Sequence, residues 1–165
     1  ICQVYLTVIR GTPMMVQLMI MYFVIFASSR HSVAVATLAF GINSGAYVAE
    51  IVRGGIMSVD AGQMEAGRSL GMNYTQTMRH IIIPQAIKNI LPALGNEMIT
   101  LLKDTSLMTV TGAKDLMKAA QSVTAVTYQP LMPYISIAII YLVCVMALSK
   151  ALAAFERRLR NSDRR

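Results

Sequence analysis

"QMEAGRSLGMNYTQTMRHIIIPQA", residues 63–86, is a polar and heavily punctuated passage in an otherwise oily chain. Its punctuation reads as two short helices. Asp60 with Gln63 three residues on is an N-terminal capping pattern, and Gly71 after Leu70 stands where a helix ends in a left-handed turn. Asn73 with Gln76 repeats the start signal, and Pro84 marks where the second piece meets an apolar run. The spacing predicts a rigid elbow over residues 58–83, in which the small Ala66 and Gly67 leave room for another surface to approach closely.

What surrounds the elbow belongs in lipid. Of 165 residues, 55% are hydrophobic and 14% charged, against about 25% charged in a soluble domain. Four apolar segments, 13–29, 32–52, 86–112 and 133–155, approach the roughly 17 to 25 residues that a bilayer crossing needs. In "RGTP", Thr12 is placed to cap the first of them, with Pro13 at the first helical position. The short "SSRHS" then forces the second span to run antiparallel. That second span carries Gly41 and Gly45, small residues that let helices touch, with Asn43 between them either bonding across the contact or lining a path. Pro84, Pro92 and Gly95 interrupt the third.

Net charge is +7, and five of the fifteen basic residues fall in the last nine positions. A basic run beside an apolar helix marks the cytoplasmic membrane face and argues against nucleic acid as a partner. Arg10, Arg53, Arg68, Arg79, Lys88, Lys150 and the tail arginines lie on one side of the spans, and Arg30, Lys114 and Lys118 on the other. The elbow and the C-terminus are therefore expected in the cytoplasm, with "KDLMKAAQSVTAVTYQP" outside as an amphipathic helix. The chain opens at Ile1 inside an apolar phrase, with no charged leader before it, and reads as lacking its own N-terminus.

Chemistry is scarce. Cys2 and Cys144 read as buried thiols without metal spacing, and His31 and His80 stand at segment ends with no ligand partner, so no metal site is expected. Glu50 and Arg53 are spaced to pair with each other. The methionines suit irregular contacts between helices. No nucleophile and base arrangement marks a catalytic residue, and no G-x-x-x-x-G-K-[ST] phosphate loop occurs.

The elbow resembles the signature of the membrane permease subunits of ATP-binding-cassette importers, in their polar amino acid uptake group. That signature runs Glu-Ala-Ala, three residues, Gly, nine residues, Ile, one residue, Leu-Pro. Here it reads Glu65, Ala66, Gly67, Gly71, Ile81, Ile83 and Pro84 with every spacing kept. Gly67 replaces the second Ala and Ile83 the Leu; a glycine weakens a helix by roughly 0.5 to 1 kcal/mol relative to alanine. "RGTPMMVQL", "AYVAEIVRGGI", "IIIPQAIKNILPALGNE" and "LLKDTSL" also look like this group's phrases in their usual order.

The resemblance implies one permease domain over residues 1–165, an all-α integral membrane bundle of transmembrane helices with a cytoplasmic coupling helix, here without the family's first transmembrane helix. It implies a multi-pass protein of the bacterial inner membrane that moves polar amino acids. Glu65, Ala66, Gly67, Gly71, Ile81 and Pro84 would couple it to separate ATPase subunits, which carry ATP and magnesium while this chain holds no cofactor and is no enzyme by itself. A second permease subunit, identical or related, and an extracellular substrate-binding protein complete the assembly.

Charged groups at membrane depth cost roughly 2.5 to 3.5 kcal/mol each on insertion scales and so face a wet cavity or a partner. Glu97 and Asp104 are seven residues apart and share a helix face with Thr100 nearly in line, while Lys103 points about a quarter turn away. Lys103 and Asp104 suit the carboxylate and ammonium of an amino acid zwitterion, and Glu97 then suits a basic side chain. Related permeases often carry an amide at the Glu97 position. The alternative for Lys103 and Asp104 is structural pairing near the outer interface, where lysine snorkels. A broken, charged third span also fits an ion-coupled secondary transporter or a channel, whose transport would continue without an ATPase.

Overall fold

A computed structural model describes residues 2–29 and 31–161, with side chains through residue 157; the tail arginines beyond it lie outside those described side chains. Every regular element among the described residues is helical. The first is α1 (Cys2–Gly11), followed across Thr12 and Pro13 by α2 (Met14–Ile20), which opens into a π turn at Met21–Ile25. Then come α3 (Ser32–Met57), α4 (Ala61–Ser69), α5 (Tyr74–Thr77) with a π turn at Met78–Ile82, and α6 (Ile83–Asp104). A 3-10 stretch (Thr105–Thr111), α7 (Leu116–Thr127) and α8 (Leu131–Asn161) complete the described residues.

Two of these helices are long and apolar enough to cross a membrane, α3 over Ser32–Met57 and α8 over Leu131–Arg157. At 1.5 Å per residue α3 spans about 39 Å, ample for a hydrocarbon core of roughly 30 Å. The expected span 13–29 is helical only over Met14–Ile25, at most about 18 Å, and the neighbouring α1 is bent from it by 106°. Length for a crossing is there only if the bent pair counts as one span. The expected span 86–112 divides into α6 and the tighter 3-10 stretch, and α6, with Lys88, Glu97, Lys103 and Asp104, is the polar helix of the set.

Nor is α6 interrupted as its prolines and glycine suggested. Pro92 lies inside a continuous helix. Pro84 cannot donate to the carbonyl of His80, and the chain widens into the π turn immediately before it, with Ile83 N–H reaching back to Met78 O. Gly95 does not break the helix either. A Cβ there would collide with the side chain of Leu152 on α8, so the glycine permits a close helix contact.

Two compact units divide the chain, one of Ile1–Tyr47 with Met98–Lys150, the other of Val48–Glu97 with Ala151–Arg165. The first has a small core of Leu18, Ala36 and Ala39, against which Met14, Met21, Phe40, Leu107, Met108 and Val110 pack. Three of those nine are methionines, the unbranched side chains that fill uneven gaps. Large apolar side chains remain on the outside of α8, among them Ile139, Leu142 and Val143, as expected of a helix whose surroundings are lipid or another apolar surface. Cys2 and Cys144 are free and exposed rather than buried, because each sits on an outward face of its helix.

Also in the first unit, Gln17 knits α1, α2 and α3 together. Its Nε2 donates to Ile9 O at 2.6 Å, Thr12 O at 3.1 Å and Thr12 Oγ1 at 2.6 Å, while its Oε1 accepts from Asn43 Nδ2 at 3.0 Å. The carbonyls at the end of α1 have no partner within their own helix, and Gln17 supplies one. Thr12 is consequently not the expected cap. Its hydroxyl donates to Val8 O at 2.8 Å, and Pro13, in extended backbone, holds the N-cap position of α2. Asn43 is buried and bonds across a helix contact, the structural role of the two left open by the sequence. Gly45 lies under Tyr5, whose hydroxyl donates to Ile42 O at 2.6 Å, whereas Gly41 faces open space. Arg10 stands over the ring of Tyr47 at 5.5 Å.

Candidate functional site: the elbow and the charged helix

The elbow lies wholly within the second unit. Asp60 caps α4, but through Gly62 N–H at 2.7 Å, and Gln63 does not close the reciprocal bond the spacing suggested; its Oε1 accepts from Gln85 Nε2 at 3.4 Å. At the other end α4 stops on a Schellman turn. Met72 N–H bonds Gly67 O at 3.1 Å and Gly71 N–H bonds Arg68 O at 2.9 Å, with Gly71 at φ +80°. The next helix begins on a complete capping box, Gln76 N–H to Asn73 Oδ1 and Asn73 N–H to Gln76 Oε1, both 2.9 Å. Both ends of the turn are thus fixed by short-range bonds.

Four of the six coupling residues named from the sequence face outward. Glu65, Ala66, Gly71 and Pro84 are exposed, Ile81 is half-buried, and Gly67 is buried. Gly67 does not wait for an outside surface. It packs on fully buried Thr77, and a Cβ at Gly67 would stand 2.6 Å from Thr77 Cγ2 and 2.8 Å from its Oγ1. The room that a small residue leaves is taken by the elbow's own second helix. Leu70 at 79% and Tyr74 at 60% exposure flank the turn, and neither was singled out from the sequence. Their signal was available: an apolar residue on each side of a polar turn, with nothing nearby in the chain to cover it.

On α3, Arg53 and Glu50 form the paired carboxylate and guanidinium expected of their spacing, with both bonds at 2.9 Å. On α6 the four residues nominated for substrate divide between the two units. Glu97, half-buried, belongs to the second unit. Thr100, Lys103 and Asp104 belong to the first, where Lys103 alone of the three lines an open cleft of about 400 Å³ with Ser106, Met117, Tyr134 and Tyr141. The lining is mostly apolar and the Ser106 hydroxyl already donates to Lys103 O at 2.8 Å, so the Lys103 ammonium is the charged donor of this cleft able to hold a carboxylate. Ser106, Tyr134 and Tyr141 were missed because they come from a 3-10 stretch and from α8, and no local spacing links them to Lys103.

Residues 1–161 match the family model described as the binding-protein-dependent transport system inner membrane component. The chain belongs to this family. The permease is 42% identical to the arginine transport system permease protein of Bacillus subtilis, over 99% of this chain and 76% of that protein. It is 40% identical to the glutamine transport system permease protein of Escherichia coli, over 95% of this chain and 74% of that protein. A solved structure, described as the crystal structure of an amino acid ABC transporter with histidines, superposes with a TM-score of 0.88 at 51% identity, covering 94% of this chain and 74% of that one. Membership makes the permease an all-α integral membrane transport component of an inner membrane, whose partners are in general an ATPase and a binding protein. An ion-coupled carrier or channel finds no support in these relationships.

Proposed function

We propose that this permease subunit imports polar amino acids, basic ones included, with ATP and magnesium held and hydrolysed on partner ATPase chains and no cofactor of its own. A second permease subunit, the same or a relative, frames the path with it, and an extracellular binding protein delivers the amino acid. The C-terminus and the elbow face the cytoplasm, in keeping with their arginines and lysines. The relatives named for arginine and glutamine transport support the amino acid class.

The observation that carries the reading is the elbow. Glu65, Ala66 and Gly71 are presented outward on an elbow whose capping box and Schellman bonds leave its turn little freedom, and Pro84 is exposed at the start of α6. A lever must be stiff to pass on displacement, and an exposed rim of Leu70 and Tyr74 gives a partner apolar surface to grip. Substrate recognition is assigned to Glu97, Thr100, Lys103 and Asp104, with Lys103 taking the carboxylate. The test is uptake of radiolabelled arginine and glutamine by vesicles holding the full assembly. Accumulation that requires ATP hydrolysis and disappears in a Glu65→Arg, Gly71→Val double variant is the expected result. Accumulation driven by an ion gradient without hydrolysis overturns the reading.

A further inference from the structure

The elbow's route into the membrane has a weak link. Between α5 and α6 lies the π turn Met78–Ile82, a wider and less favourable winding than an α-helix, and displacement of the elbow entering α6 through the backbone alone would be absorbed there. Side chains bridge it. Gln63 accepts from Gln85 at 3.4 Å, Ser58 Oγ accepts from Asn89 Nδ2 at 2.8 Å, and Gly55 is buried against Ile90 and the carbonyl of Ala86. Reading down the end of α3 into α4, the partners run 90, 89, 85 and, at Gly67, 77. The descending order is that of an antiparallel hairpin closed along its length.

Within this hairpin Ser58 is doubly held, because its hydroxyl also donates to Gly55 O at 2.8 Å and is therefore aimed at Asn89 rather than free to rotate. Its position is the first residue after α3, in the short turn that leads to α4. On α6, Asn89 lies beyond the π turn and next to Ile90, whose side chain fills the space left by Gly55. We infer that the Ser58–Asn89 hydrogen bond is a positioning contact that bypasses the π turn and makes the elbow, the end of α3 and the start of α6 move as one body during transport. The inference rests on the proposed coupling role of the elbow.

Two measurements separate the inference from that role. In the reconstituted assembly of permease, ATPase and binding protein, ATP hydrolysed per radiolabelled arginine accumulated should rise roughly five- to tenfold in Asn89→Leu and in Ser58→Ala, the size expected for losing one hydrogen bond of the working lever. The exchange variant Ser58→Asn/Asn89→Ser should return the ratio to about the unsubstituted value. An unchanged ratio in Ser58→Ala, which removes one oxygen and leaves the fold intact, overturns the inference. Independently of transport, Ser58→Cys/Asn89→Cys in a Cys2→Ser/Cys144→Ser background should cross-link equally well without nucleotide and with ATP bound. Cross-linking lost in either state overturns one-body motion, whereas an unsubstituted assembly that hydrolyses ATP and accumulates nothing defeats the proposed function and leaves the cross-linking result to decide the clamp.

Discussion

Gly67 and Thr77 fit together so closely that a single methyl on the glycine would reach 2.6 Å from Thr77 Cγ2. Gly67→Ala, which propensity alone would favour, is therefore expected to destabilise the elbow by about 1 to 3 kcal/mol through overpacking. Gly67→Ala/Thr77→Ala should recover most of the loss, since it removes the colliding atoms. Thermal unfolding of the purified assembly, run as a double-mutant cycle, measures the coupling; additive effects would show that the two residues do not share the space.

Gly71 holds φ at +80°. Replacing it with alanine is expected to cost about 1 to 2 kcal/mol from the left-handed backbone, and asparagine less, because Asn tolerates that region. Retention of the ATPase subunit through detergent purification should follow the order Gly, Asn, Ala. Equal retention for all three would mean that the turn is not needed for partner binding.

Tyr128 presents the opposite case, a non-glycine at φ 55° ending α7 and 87% exposed. Tyr128→Gly should stabilise the protein by roughly 0.5 to 1 kcal/mol, the left-handed cost less the glycine's own entropy. A lower melting temperature in that variant would show that the tyrosine ring makes contacts outside this chain.

For the substrate residues, Lys103→Met is expected to raise KM for arginine and glutamine alike by about tenfold or more, as a charge-assisted bond to a shared carboxylate is lost. Glu97→Gln should instead act selectively, weakening arginine uptake while sparing glutamine. Concentration-dependent uptake of the two amino acids distinguishes these patterns. An unaltered preference in Glu97→Gln removes that residue from the site.

How far the sequence could be read depended on range. The bonds of the elbow join residues within five positions of each other, so Asn73 with Gln76 and the left-handed Gly71 were legible as letters in a row. The half that failed, Gln63 as a capping partner for Asp60, failed because a residue 22 positions on competes for its side chain. Thr12 was misjudged for a similar reason, its hydroxyl being claimed by Gln17 and Val8. Gly67 looked like a landing place for a partner because its neighbour Thr77 comes from the following helix. The prolines of α6 advertise breaks, yet packing and one widened turn absorb them. The cleft around Lys103 draws on α8 as well as α6, and no periodicity within one helix reports such a meeting.

Gln17 also imposes an order on biogenesis. The amide that ties the α1–α2 corner finds its fourth bond on Asn43, which is synthesised 26 residues later. As the chain is made, the bonds from Gln17 to Ile9 and Thr12 can form within the corner itself, while its Oε1 waits for Asn43 until α3 packs beside it. Arrival of α3 thus completes the polar contacts of the α1–α2 corner rather than starting them.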